Sequence, residues 1–61
     1  MKVREVLRIL KQDGWIMERT RGSHRQFRHP NKPGTVTVAG KPNLDLRPAT
    51  LASILKQARL K

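Results

Sequence analysis

An α+β fold with the element order α-β-β-β-α is predicted by three observations. Apolar residues recur at helical spacing near both ends, they alternate with period two in the middle, and clusters of turn-forming residues separate the runs. Two helices would then cover one face of a three-stranded antiparallel sheet and leave the other face in solvent. The 61 residues are read as a single domain over 1–61. A chain of this size hides only about 60% of its unfolded surface, so the core has to be thin.

The first helix rests on Val3, Val6, Leu7 and Leu10 at i, i+3, i+4 and i+7, with Ile9 widening the stripe. Lys2, Arg4, Glu5, Arg8, Lys11 and Gln12 fill the other side, and Asp13-Gly14 stops the helix, Gly14 being suited to the left-handed position that follows a helix. Strand one is read over Trp15–Arg19, with Trp15 and Met17 sharing the inward face, and Thr20–Ser23 as the turn after it. Gly22 supplies the positive φ that such a turn demands. In strand two, His24–His29, one face carries Arg25, Phe27 and His29, the other His24, Gln26 and Arg28. Phe27 is the only phenylalanine and marks the first of these as the core face, so His24 should point away from the core.

Pro30-Asn31-Lys32-Pro33-Gly34 is dense turn chemistry. Strand three follows at Thr35–Val38, with Val36 and Val38 inward and Thr35 and Thr37 on the open face. Ala39–Asp45 reads as a connecting loop. Pro48 suits the first position of a second helix capped by Arg47, with Leu51, Ile54, Leu55 and Ala58 at helical spacing and Leu46 placed to staple against Leu51. Arg59 and Lys61 complement the helix dipole, but no capping glycine follows, so the last turn is expected to fray.

Charge narrows the function classes. Fourteen Lys and Arg against four Asp and Glu give a net charge of +10, and no acid lies between Glu18 and Asp45, where Arg19, Arg21, Arg25, Arg28, Lys32 and Lys41 fall. An anionic partner is implied: nucleic acid first, an acidic protein next. An anionic membrane surface fits poorly, because turn residues break the basic interval and no apolar helical stripe runs through it. The absence of cysteine excludes disulfide scaffolds and thiolate metal sites. Two histidines and four scattered acids offer no zinc or magnesium set, and no cofactor is expected. Charges at Lys2, Arg4, Glu5 and Arg8 interrupt the first apolar pattern, so neither a signal peptide nor a spanning helix is expected there, and the protein should be soluble and cytoplasmic.

On the basic open face His24 is either an exposed contact for RNA or a general base. Ser23 is a turn former without an acid partner, so no catalytic triad is expected. His29 falls on the opposite face and reads as structural, and Trp15 as core. Arg28 is better placed for phosphate than Arg25, which shares Phe27's parity. Thr35 and Thr37 could contact a substrate backbone.

Several of these residues carry a resemblance. Gly14-Trp15 after the first helix, Arg21-Gly22-Ser23-His24 with Phe27 following, His29-Pro30, the Pro33-Gly34 turn into Val36-Thr37-Val38, and the ending Leu51-Ala52-Ser53-Ile54-Leu55-Lys56-Gln57-Ala58 together resemble the HicA toxin family. The arrangement of elements likewise resembles the double-stranded-RNA-binding-domain fold. The resemblance implies the toxin of a toxin-antitoxin system, an endoribonuclease that cleaves mRNA, with His24 required for cleavage and covered by a HicB-like antitoxin. Elementary chemistry is compatible: a neutral imidazole can take the proton of an RNA 2′-hydroxyl, which then attacks the adjacent phosphorus without a metal. Substrate contacts are expected from Arg21, Gly22, Ser23, Gln26, Arg28 and Lys41. Where the family often carries a proline and a further histidine after the third strand, this chain has Ala39-Gly40-Lys41-Pro42, leaving Lys41, His29 or water as the source of the second proton. Glycines common before the second helix and near its end are replaced by Ala49 and Arg59, which should alter capping more than activity. The rival reading is a non-catalytic RNA-binding module using the same face.

Overall fold

The computed structural model describes residues 1–60. It has the expected α+β order: α1 (Val3–Gln12), β1 (Ile16–Arg21), β2 (His24–Arg28), β3 (Val36–Val38) and α2 (Pro48–Gln57). The strands form one antiparallel sheet in the order β1-β2-β3. Val3, Val6 and Leu10 of α1 meet Phe27, Val36 and Val38 of the sheet and Ile54 and Ala58 from α2 and its end, with Trp15 closing one side. These are the residues that helical and period-two spacing mark as inward. Leu7, Leu46 and Leu51 pack at the margin of this core.

The ends of α1 are satisfied mainly by backbone. Lys2 makes no side-chain cap; instead the Val3 and Arg4 amides donate to the Leu44 and Pro42 carbonyls at 2.9 and 3.0 Å. The loop before α2 thus caps α1. At the other end Trp15 N–H donates to Leu10 O and Gly14 N–H to Lys11 O, the paired bonds of a Schellman closure, with Gly14 at φ +100°. A side chain there would meet His29 as well as strain the backbone, since a Cβ would lie 2.8 Å from Nε2.

Four boundaries differ from the sequence reading, one of them the end of β2, which stops at Arg28 and leaves His29 outside the strand. Trp15 is taken up by the closure of α1 and by the core, so β1 begins at Ile16. Thr20 and Arg21 remain in the ladder, opposite Arg25 and His24, and the hairpin is reduced to Gly22-Ser23. With Gly22 at φ +60° in the first position, that two-residue turn matches the twist of the strands. Strand three starts at Val36, leaving Thr35 outside it.

Met17 is not core. It lies opposite Phe27, yet on an edge strand it is 53% exposed, and Ile16 beside it 63%.

The second helix is closed where fraying was expected. The Arg59 amide donates to Lys56 O and the Leu60 amide to Leu55 O at 3.1 and 2.9 Å, with Arg59 itself at φ +57°. An arginine therefore fills the position glycine usually takes, against a left-handed penalty of about 1 kcal/mol. Lys61, the other residue expected to favour the helix end, lies outside the described residues. Arg59→Gly should stabilise the chain by about 0.5 kcal/mol net of the added freedom of the unfolded state. A thermal melt should show a rise of roughly 2–4 °C in Tm; an unchanged or lowered Tm would mean that the arginine's conformation carries no strain.

Candidate nucleic-acid interface

The face of the sheet turned away from the helices presents its side chains in rows set by strand register. Arg21 stands opposite His24, Arg19 opposite Gln26 with Thr37 beyond it on β3, and Ile16 opposite Arg28. Directly paired residues share a face, so Arg19, Arg21, His24, Gln26, Arg28 and Thr37 all point to the open side. A shallow recess of about 340 Å³ is lined by Arg19, Arg21, His24, Gln26 and Thr37.

Strand periodicity alone would not assemble this recess. Met17, Arg19 and Arg21 are spaced by two, so a regular strand would put both arginines on Met17's side, toward the helices. The register instead shifts between Met17 and Arg19: Met17 pairs with Phe27 and Arg19 with the very next residue of β2, Gln26. Glu18 is the extra residue of a β-bulge. The bulge leaves Met17 on the helix side and turns Arg19 and Arg21 outward beside His24. Arg19 was missing from the expected contacts, although an arginine at inward parity in strand one, which a thin core cannot bury, was a readable signal.

The hairpin that carries His24 is braced from behind. Arg25, on the core-side parity, donates through Nη1 to Ser23 O at 3.3 Å and Gly40 O at 2.9 Å, and Gly40 N–H donates to Ser23 O at 3.2 Å. Gly40 sits at φ +110°, a conformation that other residues adopt only with strain, so glycine suits the point where this segment bonds to the turn. Arg25 is thereby committed to the scaffold, whereas among the described residues the side chains of Arg19, Arg21 and His24 have no hydrogen-bond or ion-pair partner.

The other expected contacts lie around the recess. Gly22 and Ser23 form the turn at its end. Lys41 lines a separate hollow with Ser23, Gly40, Asn43 and Leu44. Arg28 shares the open face but its Nε lies 3.4 Å from Glu18 Oε2, an exposed pair of small energetic weight.

His29 lies on the helix side. Its Nε2 donates to Asp13 O at 2.7 Å while Nδ1 accepts from Asn31 N–H at 2.9 Å, and the ring meets Trp15 edge-on at 5.2 Å. Both nitrogens are occupied in the scaffold, on the face of the sheet opposite His24.

Lys32 also leaves the open field. Its Nζ donates to Asp13 Oδ2 at 2.5 Å and to Ala58 O at 3.3 Å, tying the ends of both helices together. Trp15 Nε1 donates to the same Asp13 oxygen at 3.1 Å. The Lys32 hydrogen bond, reinforced by its charge and by Trp15 and His29, holds the Asp13 carboxyl below its ordinary value of 3.8. A carboxyl depressed on folding contributes stability that is fully present above the unfolded pKa and is lost as pH falls through the folded one. Chemical denaturation at a series of pH values should therefore show stability dropping below about pH 4 in the native chain. Asp13→Asn should be less stable at pH 7 and flatter across that acid limb; an identical acid limb in the variant would remove Asp13 from this role.

Among the described residues no three His, Asp or Glu side chains come together as a metal site, and no helix is long and apolar enough to cross a membrane. The fold and its open face define a small basic α+β protein whose exposed sheet surface sets arginines around a histidine. The family model for the HicA toxin of bacterial toxin-antitoxin systems matches residues 3–60, and the chain belongs to that family. Comparison with curated proteins finds none that matches.

Proposed function

We propose that the chain is a single-domain toxin that cleaves mRNA in the cytoplasm as a metal-independent endoribonuclease, and that a HicB-like antitoxin neutralises it by covering the open sheet face. The observation that supports this most is the pairing of His24 with Arg21 across the hairpin, both side chains free of protein partners and open to solvent. Membership of a toxin family supports the same reading.

In the proposed reaction a His24 ring nitrogen accepts the proton of a ribose 2′-hydroxyl. The resulting oxygen attacks the adjacent phosphorus, a new P–O2′ bond forms and the P–O5′ bond breaks. Arg21 balances the charge that grows on the non-bridging phosphate oxygens, where a guanidinium fork is most effective. In an in-line displacement the leaving 5′-oxygen stands opposite the attacking one, out of reach of His24. With His29 facing the helices and Lys41 in another hollow, water supplies its proton. The products are a 2′,3′-cyclic phosphate and a 5′-hydroxyl.

The test compares an RNA with the same sequence bearing 2′-deoxy sugars, both in excess chelator. Cleavage confined to the RNA, with 5′-hydroxyl ends, is expected. Cutting of the deoxy strand would end the 2′-hydroxyl mechanism, and salt-dependent binding of both strands without products would favour the non-catalytic RNA-binding module.

A further inference from the structure

We infer that Arg19, with Gln26 and Thr37, forms a second phosphate subsite that holds the phosphate next to the scissile one. The inference rests on the proposed reading of His24 and Arg21 as the reacting row. Arg19 lies opposite Gln26, and Thr37 lies opposite Gln26 from the other side, so guanidinium, amide and hydroxyl cross all three strands in one line. All three side chains are exposed, all can donate hydrogen bonds, and no acid stands in the row. A phosphodiester oxygen is the ligand such a row suits.

Spacing separates this row from the reacting one. Gln26 is two residues beyond His24 on the same strand, which places the rows about 7 Å apart. That is close to the separation of successive phosphates on an extended single strand. One phosphate at Arg21 and His24 therefore brings the next to Arg19, Gln26 and Thr37, within the same recess. The bulge at Glu18 acquires a purpose, since the side chain it turns outward in register with Gln26 is the cationic member of the second row. A dinucleotide carries a single phosphate and fills only the reacting row; a trinucleotide reaches both.

The experiment measures binding of single-stranded, uncleavable 2′-deoxy oligonucleotides carrying one or two phosphates as salt is raised, using the full chain and Arg19→Ala. Each phosphate contact on a single strand contributes a slope of about 0.7 in log K against log salt. For the native chain the two-phosphate strand should show the steeper slope, and Arg19→Ala should reduce that slope by about 0.7 and the low-salt affinity roughly tenfold. The one-phosphate strand should distinguish the two proteins far less. Arg19→Lys should keep most of the slope while losing affinity, because the charge survives and the planar fork does not. An equal effect of Arg19→Ala on both strands would place Arg19 on the scissile phosphate and overturn the subsite, as would no effect on either strand or no binding by the native chain. Binding that follows the expected pattern in a protein that cuts no RNA would end the ribonuclease reading and leave Arg19, Gln26 and Thr37 as the second phosphate contact of a binding module. Cleavage lost in a His24 variant but binding indifferent to Arg19 would do the reverse.

Discussion

Trp15→Ala should leave most molecules unfolded at ambient temperature. Trp15 is 2% exposed, and its indole joins Asp13 and His29 to the buried core. Its Nε1 binds Asp13 and its ring makes a T-shaped contact with His29, while the backbone amide that closes α1 on Leu10 survives the substitution. Truncating a buried tryptophan to alanine costs about 3–5 kcal/mol, and a chain this small rarely holds more than about 3–5 kcal/mol in total. The loss and the reserve are of the same size. Trp15→Phe separates the contributions, since it keeps an aromatic ring and gives up the bond to Asp13, for an expected loss of about 1–2 kcal/mol. Urea unfolding followed by circular dichroism checks both. A Trp15→Ala protein with a native-like midpoint would show that the junction of α1, Asp13 and His29 carries little of the stability.

Much of this scaffold was legible because its residues obey simple periods. Val3, Val6 and Leu10 on α1 and Val36 and Val38 on β3 are buried together as their spacing marks them, with Leu7 at the margin. Phe27 fixed the parity of β2, which placed His24 and Gln26 correctly on the open face. The failures all come from places where one residue breaks a period or one contact outweighs a propensity. Glu18 adds a residue to β1, so counting by two from Trp15 put Met17 in the core, and Arg19 was counted in the basic interval but not among the substrate contacts. The sequence contained the contradiction, an arginine at inward parity in Arg19, but not the position of the bulge that resolves it. Arg59 adopts a left-handed conformation that propensity disfavours, because the closing bonds to Lys56 and Leu55 outweigh it. Lys32 read as part of the basic field and is instead bound to Asp13, a pairing between residues 19 apart that no local pattern reveals. The motifs that resembled HicA toxins span the chain, as does the family match over residues 3–60.

His24→Ala should abolish nearly all cleavage and leave everything else in place. The side chain is exposed at the start of β2 and, among the described residues, holds nothing together, so its removal should not change the melt. Arg21 across the ladder and the row of Arg19, Gln26 and Thr37 remain, so affinity for an uncleavable strand should stay within a few-fold of native. The loss of a positioned general base, by contrast, slows proton removal from the 2′-hydroxyl by about 10²–10⁴-fold. A large fall in rate with a small change in binding is the signature of a group whose contribution is confined to the transition state.

The most direct measurement is single-turnover cleavage of one labelled RNA by the native chain and by His24→Ala, in excess chelator and with binding quantified in the same samples. Cleavage by the native chain and a rate at least about 100-fold lower in the variant at equal occupancy are expected. Equal rates in the two proteins, or no cleavage by the native chain when the RNA is fully bound, would contradict the assignment of His24 as the base of a ribonuclease.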